Sequence, residues 1–529
     1  MPPFLAVVFF SGILLLRVQA AEASGAAPRP NILLILADDI GYADLGCTGA
    51  GHVKTPAIDR LAREGVRCTN AHSPASTCTP TRRALLTGNY SWRQKAGSSI
   101  APGDAPLSIA PGSGTLPGLL KKAGYHTGAV GKWHLGLGAE GGPDWNGDIK
   151  PGPREIGFDR SFLMPATGDR VPTVYVENQR VVGLDPQDPI RVSYKEKVGS
   201  EPSGRENPEA LKLKHTHGHD FTIVNGIGRI GWMTGGKSAR WTDEEMADTF
   251  TQKGIEFIEK HAEGPFFLYF APHNIHVPRA PHSRWKGTSS GGTRGDAIHE
   301  LDGSVGRLLE TLDRLNLSEK TLVVFTSDNG GVMDDGYEDV GRFDYHPNAP
   351  LKGFKGSLWE GGHRVPFIAR WPERIPAGSV SDALMAHLDM AASFAALLGV
   401  SLPGGEFRDS FNVSPAWLGR RESAPLRPHF VAHIGGTQGP FSLQVGDWKY
   451  VETTPPVRSA DSRRKEASPP AAGAGGRVPG LYNLAKDLAE NHNLAQAEPE
   501  KLQEMKNLLQ KLRQSESGVE PENRDRGKF

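Results

Sequence analysis

From Ile32 to Ala37 the chain reads Ile-Leu-Leu-Ile-Leu-Ala without a polar residue, and the next two residues are Asp38-Asp39. An apolar run this short and unbroken suits a strand buried on both faces, as in a parallel sheet covered by helices. Later segments keep to that scheme. Residues 56–64 set Ile58, Leu61 and Ala62 on one side of a helix that Gly65 stops. Residues 116–122 read as a helix, and 126–130, 266–270 and 366–370 as strands. Residues 297–315 space Ile298, Leu301, Val305, Leu308, Leu312 and Leu315 as one helical face and run straight into a strand at 321–326. This alternation predicts an α/β fold with a large mixed, mostly parallel sheet sandwiched by helices.

At 529 residues the chain has room for a large and a small domain. Residues 31–400 form the expected catalytic domain, interrupted over 136–245 by loops and short strands. Residues 401–529 form a smaller C-terminal α+β subdomain: 428–434 and 441–451 read as antiparallel strands, 453–480 as an exposed mobile loop, and the last helix carries Leu502, Met505, Leu508, Leu509 and Leu512. Residues 1–20, with an apolar stretch from Phe4 to Leu16, read as a secretory signal, and 21–30 as a linker. That predicts a secreted or periplasmic protein, with the bacterial periplasm favoured and no membrane span after processing. Sixty Lys+Arg balance sixty Asp+Glu, so the bulk field does not favour nucleic acid. The 64 glycines and 41 prolines exclude a helical bundle. Three cysteines, Cys47, Cys68 and Cys78, are too few for a disulfide scaffold, and spacing leaves open whether Cys47 and Cys68 pair.

The chemistry gathers where strands end. Asp38-Asp39 closes the first strand, Ser327-Asp328-Asn329-Gly330 the strand at 321–326, and Pro272-His273-Asn274-Ile275-His276 the strand at 266–270. Ligands of open α/β sheets bind at the carboxyl ends of strands. Adjacent carboxylates at a buried strand end repel unless a cation lies between them, and Asp38, Asp39, Asp328 and Asn329 make an all-oxygen set suited to Ca²⁺, with Mg²⁺ possible. In Cys78-Thr-Pro-Thr-Arg-Arg-Ala-Leu-Leu-Thr-Gly88, Thr79 is the expected cap, Pro80 the first helical residue and Gly88 the stop. Cys78 would then precede a helix N-terminus, where an anion is favoured, and Arg82 would grip a tetrahedral oxyanion one turn in. Lys132 and His134, two apart on an extended chain, face the same way. Lys352 and Lys355 lie in a basic, glycine-rich loop.

The eleven-residue block CTPTRRALLTG resembles the signature of the type I, formylglycine-dependent sulfatases, an arylsulfatase-like branch of the alkaline phosphatase superfamily. NILLILADDIGYADLG, GKWHLG, FFLYFAPHNIHVP, TSDNGG, GFKGSLWEGGHRVP, GDWKY and LYNL resemble further sulfatase blocks in sulfatase order, across nearly all of residues 30–495. The resemblance implies an alkaline phosphatase-like fold and sulfate-ester hydrolysis. It implies oxidation of Cys78 to formylglycine (3-oxoalanine) by a sulfatase-maturing enzyme such as a formylglycine-generating enzyme. The hydrate would be the nucleophile, with Arg82 supporting it. Asp38, Asp39, Asp328 and Asn329, with residue 78, would hold Ca²⁺, while Lys132, His134, His276 and Lys355 bind sulfate and manage protons. The fourth motif position, usually Ser or another small residue, is Thr81 here, which keeps the hydroxyl. His273, Asp169 and Arg170 are the expected substrate contacts, on a sulfated carbohydrate or aryl sulfate, with a 6-O-sulfated galactose or N-acetylgalactosamine as the working substrate. His215, His217 and His219 alternate as in a zinc site but lack a clear fourth ligand. The alternatives are a phosphodiesterase or phosphonate monoester hydrolase on the same scaffold, and an inactive sulfated-glycan binding protein.

Overall fold

The computed structural model describes residues 29–214, 218–332, 339–420, 422–454, 478–516 and 518. Ten strands form the main sheet, in the order Ser379–Ser381, Val66–Cys68, Phe367–Arg370, Thr321–Ser327, Asn31–Ala37, Phe266–Ala271, His126–Lys132, Arg160–Met164, Val176–Glu177 and Arg180–Val181. The five strands from Thr321–Ser327 to Arg160–Met164 are parallel to one another. Antiparallel pairings flank them on both sides, so the sheet is mixed and mostly parallel, as expected.

Asn31–Ala37 lies at the centre, and every one of its residues is buried. Ile32, Leu34 and Leu36 join Tyr269 and Val324 in one core, filled by Leu85, Leu86, Leu116, Leu120 and Phe394 from helices on that side. Leu33, Ile35 and Ala37 join Leu268 and Phe325 in a second core, filled by Ile58, Leu61, Phe250, Ile258, Leu301 and Leu308. Two covered faces explain why the run shows no alternation.

Helices occupy Pro56–Glu64, Cys78–Thr87, Leu116–Lys122, Met246–Lys260, Gly292–Arg314 and Met390–Leu398. Met390–Leu398 escapes sequence reading because it is apolar almost all round and so carries no period. Met246–Lys260 hides for another reason: Thr249, Thr251 and Gly254 lower its helix propensity. Cys78–Thr87 corrects the expected helix start. It begins at Cys78, with Thr77 before it and Pro80 at the third position. The missing Pro80 amide falls among the first N–H groups that no helix carbonyl would satisfy, so proline costs nothing there.

The 136–245 stretch contributes Arg160–Met164, short two-stranded ladders and loops. At the C-terminal side, Phe430–His433, Phe441–Val445, Trp448–Thr454 and Val478–Asn483 form a four-stranded antiparallel sheet. Met505, Leu509 and Leu512 of Pro499–Gln514 pack into a core with Phe430, Phe441 and Leu481 from that sheet. Thr453–Thr454 and Val478–Gly480, the ends of the expected loop, are strand; 455–477 lie outside the described residues, as do 1–28, His215 and His217. All three cysteines are free thiols. Among the described residues no helix is long and apolar enough to cross a membrane.

Candidate active site

Register brings the acids together. Ala37 pairs with Ser327, so the chains that leave these two adjacent strands, Asp38-Asp39 and Asp328-Asn329, emerge side by side. Asp39 takes a left-handed backbone (φ 61°), and its amide lies 3.4 Å from Asp328 Oδ1. Asn329 Nδ2 donates to Asp39 Oδ1 at 2.7 Å. Lys132, the last residue of its strand, donates to both oxygens of Asp38 at 2.7 Å. Lys355 reaches Asp39 at 2.7 and 2.9 Å. Ligand atoms of Asp38, Asp39 and Cys78 all lie within 4.8 Å of one another, as do those of Asp38, His273 and His276. Four strand ends and the start of the Cys78 helix therefore converge on one buried point.

The local fold around Cys78 is knotted by hydroxyls. Thr81 Oγ1 donates to the Ala75 carbonyl at 2.9 Å, so the hydroxyl at this position closes the turn that delivers Cys78. Thr79 Oγ1 donates to the His134 carbonyl (3.0 Å) and accepts from the Ala101 amide (3.2 Å). Thr77 Oγ1 turns away to Ile434, so no side chain caps the helix beside Cys78. Burial pushes the Cys78 thiol above its ordinary value, with Lys132 and Lys355 pulling the other way.

Arg82 departs from the expected oxyanion grip. It is fully buried and directs Nε (3.0 Å) and Nη2 (2.7 Å) at Asp328 Oδ2, with Nη1 on Tyr269 Oη and the Lys132 carbonyl at 3.3 Å. It thus orients a carboxylate instead of facing a ligand. Lys132 and His134 do not share one extended segment, contrary to expectation. The strand ends at Lys132, and His134 adopts a left-handed backbone (φ 56°). The turn keeps it near the site all the same: after burial, the charges of Lys132, Arg170 and Arg82 hold the imidazole well below its usual pKa. Its Nε2 donates to the Ala101 carbonyl (2.9 Å), and its Nδ1 has no partner among the described residues.

His276 Nδ1 donates to the Val277 carbonyl at 2.8 Å, which leaves Nε2 toward Asp39, 4.0 Å away. His273 Nε2 accepts from the Gly168 amide at 2.9 Å and so fixes the loop that carries Asp169 and Arg170. Burial and Lys132 bring His273 down to about 3. Asp169 accepts from Arg170 Nη1 (2.9 Å) and faces His219 Nε2 (3.0 Å). Arg170 feels Cys78, and Asp169 feels His276, so the pair borders the same point. His219, expected only as one of three alternating histidines, is part of this wall.

The donor set fits a hard divalent cation. Asn329 Oδ1 is buried with no hydrogen-bond partner among the described residues. Three carboxylates crowd beside it. Burial pushes Asp38 up to about 7 despite Lys132, while Lys355 and Lys132 overcome burial to hold Asp39 low. Carboxylates packed this way and an oxygen aimed at nothing match a Ca²⁺- or Mg²⁺-type oxygen cage.

Residues 30–400 match the family profile described as Sulfatase. The chain belongs to the sulfatase family. An N-acetylgalactosamine-6-O-sulfatase of Bacteroides thetaiotaomicron is 47% identical over 488 residues, 92% of this chain and 93% of that protein. Human arylsulfatase A is 32% identical over 509 residues, 93% of this chain and 89% of the relative. A solved structure from work on the metabolism of multiple glycosaminoglycans by Bacteroides thetaiotaomicron superposes with a TM-score of 0.86 at 45% identity, covering 92% of this chain and all of that one. As a sulfatase, the chain is a sulfuric ester hydrolase.

Sequence reading of this sulfatase passes over the support behind the Asp169 wall. Arg229, fully buried, pairs with Asp243 through two bonds (2.9 and 2.7 Å) and donates to the Gly168 carbonyl. The two charges stand fourteen residues apart, in separate segments that no periodic pattern links. Asp243→Ala leaves the Arg229 charge buried and unpaired. It is expected to cost about 3–5 kcal/mol of stability, read as a lower denaturant midpoint. A midpoint equal to wild type would show that water or another group already compensates Arg229.

Proposed function

We propose that this sulfatase removes 6-O-sulfate from a galacto-configured sugar, N-acetylgalactosamine 6-sulfate foremost, by a nucleophile matured from Cys78. The observation that carries the chemistry is the meeting of Cys78 with Asp38 and Asp39 at one buried point. The substrate reading is supported by the relative named for N-acetylgalactosamine 6-O-sulfate. It is supported too by a wall of Asp169, Arg170 and His219 whose polar atoms can bond sugar hydroxyls.

Asp38, Asp39, Asp328 and Asn329 would hold Ca²⁺, which supplies positive charge for the sulfonyl oxygens as negative charge builds on them. Residue 78, once matured to formylglycine, would supply a hydrated aldehyde whose two hydroxyls serve for attack on sulfur and for release of sulfate. The chain's own residues do the rest. Arg82 holds Asp328, and Lys132 holds Asp38, so neither carboxylate turns away from the site. Lys355, held protonated by Asp39 and the charges around it, offers a proton donor to the leaving oxygen. His276, with Nδ1 committed to Val277, can exchange protons only through Nε2. The buried thiol of unmodified Cys78 stays protonated and is a poor nucleophile, which supports a matured residue and a maturing enzyme as partner. The leader-like residues 1–20 support export to a periplasm.

The test compares sulfate release from N-acetylgalactosamine 6-sulfate, its 4-sulfate, galactose 6-sulfate and an aryl sulfate, with an aryl phosphate alongside. Preference for a 6-sulfate is expected; faster turnover of the 4-sulfate or the phosphate would overturn the reading. Asp169→Asn is expected to lower kcat/KM on the sugar about 10- to 100-fold and to leave the aryl sulfate within about threefold. Equal losses on both substrates would remove Asp169 from sugar recognition.

A further inference from the structure

Two blocks singled out in the sequence, GDWKY and LYNL, play no part in the site described above, yet they frame a second buried cluster of charge. Lys449 lies on Trp448–Thr454 and is fully enclosed; its Nζ donates to Glu360 Oε1 (2.8 Å) and to His363 Nε2 (3.2 Å). Glu490 Oε1 lies 2.8 Å from the same ammonium, off the hydrogen-bonding direction. Two imidazoles extend the cluster. His72 Nε2 lies 2.9 Å from Asn70 Oδ1 and its Nδ1 3.1 Å from His363 Nδ1, while His363 Nε2 lies 3.2 Å from both Lys449 Nζ and the Leu358 carbonyl. Burial keeps both imidazoles neutral.

Glu490 spans the gap between the C-terminal subdomain and the loop that bears Lys355. Its Oε2 accepts from the Glu360 amide (2.7 Å), and its carbonyl accepts from Lys352 Nζ (2.9 Å). Glu490 itself holds a left-handed backbone (φ 53°). The two anchored points, Lys352 and Glu360, bracket Lys355 and are joined by a further bond from the Gly361 amide to the Lys352 carbonyl (2.7 Å). The same segment grips the rest of the site. The Gly356 amide donates to Ser76 (2.8 Å), just before Cys78, and the Gly330 amide, just after Asn329, donates to Gly362 (3.0 Å). Contact there is so close that a Cβ on Gly330 would sit 1.8 Å from the Gly361 oxygen.

We propose that Glu490 and Lys449 are positioning residues: from the C-terminal subdomain they clamp both sides of the 352–364 segment and thereby hold Lys355 on Asp39. This rests on the reading that Lys355 works in sulfate-ester cleavage. Burial, with Glu360 nearby, pushes the Glu490 carboxyl up to about 7, so Gln resembles its neutral form and keeps an acceptor for the Glu360 amide.

A double-mutant cycle on the matured, metal-loaded full chain tests the clamp, with kcat on an aryl sulfate as readout. Glu490→Ala is expected to lower kcat about 10- to 100-fold, as a misplaced catalytic group does. Glu490→Gln should stay within about threefold of wild type. Combined with Lys355→Ala, Glu490→Ala should add less than about threefold to the loss that Lys355→Ala causes alone. Multiplied losses, a Glu490→Ala enzyme near wild type, or a Gln variant as poor as the Ala variant would each overturn the clamp. If Glu490→Ala does not fold, Glu490→Asp, which withdraws the carboxylate by one methylene, enters the same cycle under the same criteria. Full activity of Lys355→Ala would refute the role of Lys355 and the clamp with it, whereas a Lys355→Ala enzyme of much reduced but measurable activity, with losses that multiply, refutes the clamp alone.

Discussion

Cys78→Ala is expected to lower sulfate-ester turnover by on the order of 10⁴-fold or more while leaving the fold intact. The side chain is buried among Asp38, Asp39, Lys132 and Lys355, and trimming one sulfur atom leaves those four groups paired with one another. Cys78→Ser should be nearly as inactive, because a single hydroxyl lacks the second oxygen that would release bound sulfate. Mass spectrometry of the peptide spanning residue 78 supplies the complementary measurement. In protein made with a maturing enzyme the thiol should be replaced by an aldehyde. Full activity in protein whose residue 78 is an unmodified thiol would defeat the mechanism.

Asp328→Ala should remove metal binding and turnover together. It deletes one oxygen of the proposed cation cage and leaves Arg82, fully buried, without the carboxylate that takes two of its bonds. A stability loss of about 3–5 kcal/mol is expected to accompany the loss of function. Asp328→Asn separates the two effects. It keeps an oxygen for Arg82 and fills the same space, so the protein should fold better than the Ala variant yet bind metal weakly. Metal content after dialysis and sulfate release are the measurements. A metal-replete, active Asp328→Ala enzyme would remove Asp328 from the site.

Much of this architecture can be read before any coordinates. The central strand betrays itself by lacking alternation, and its acids by standing at a strand end where charge is costly. Residues tied to a strand end, such as Asp38, Asp328 and His276, are therefore legible: one local pattern gives both the element and the side chain's place on it. The partner of Arg82 was not, because a guanidinium one turn into a helix looks alike whether it faces solvent, a ligand or Asp328, 246 residues away. The helix start at Cys78 is concealed for a related reason: proline fits several positions of a first turn, and Thr79 spends its hydroxyl on His134 instead of capping. Glu490 and Lys449 sit in segments with ordinary surface composition, and only the docking of the four-stranded sheet makes them interior.

The placement of Asn31–Ala37 also sets a timetable. Its partner on one side, Phe266–Ala271, arrives some two hundred residues later in synthesis, and its partner on the other, Thr321–Ser327, later still. Until then the sheet has no middle, and pairing this distant in sequence closes slowly. Cys78 is 1% exposed once the sheet is complete. An enzyme that oxidises it would find the thiol exposed on a nascent or unclosed chain, during the interval that the strand order itself holds open.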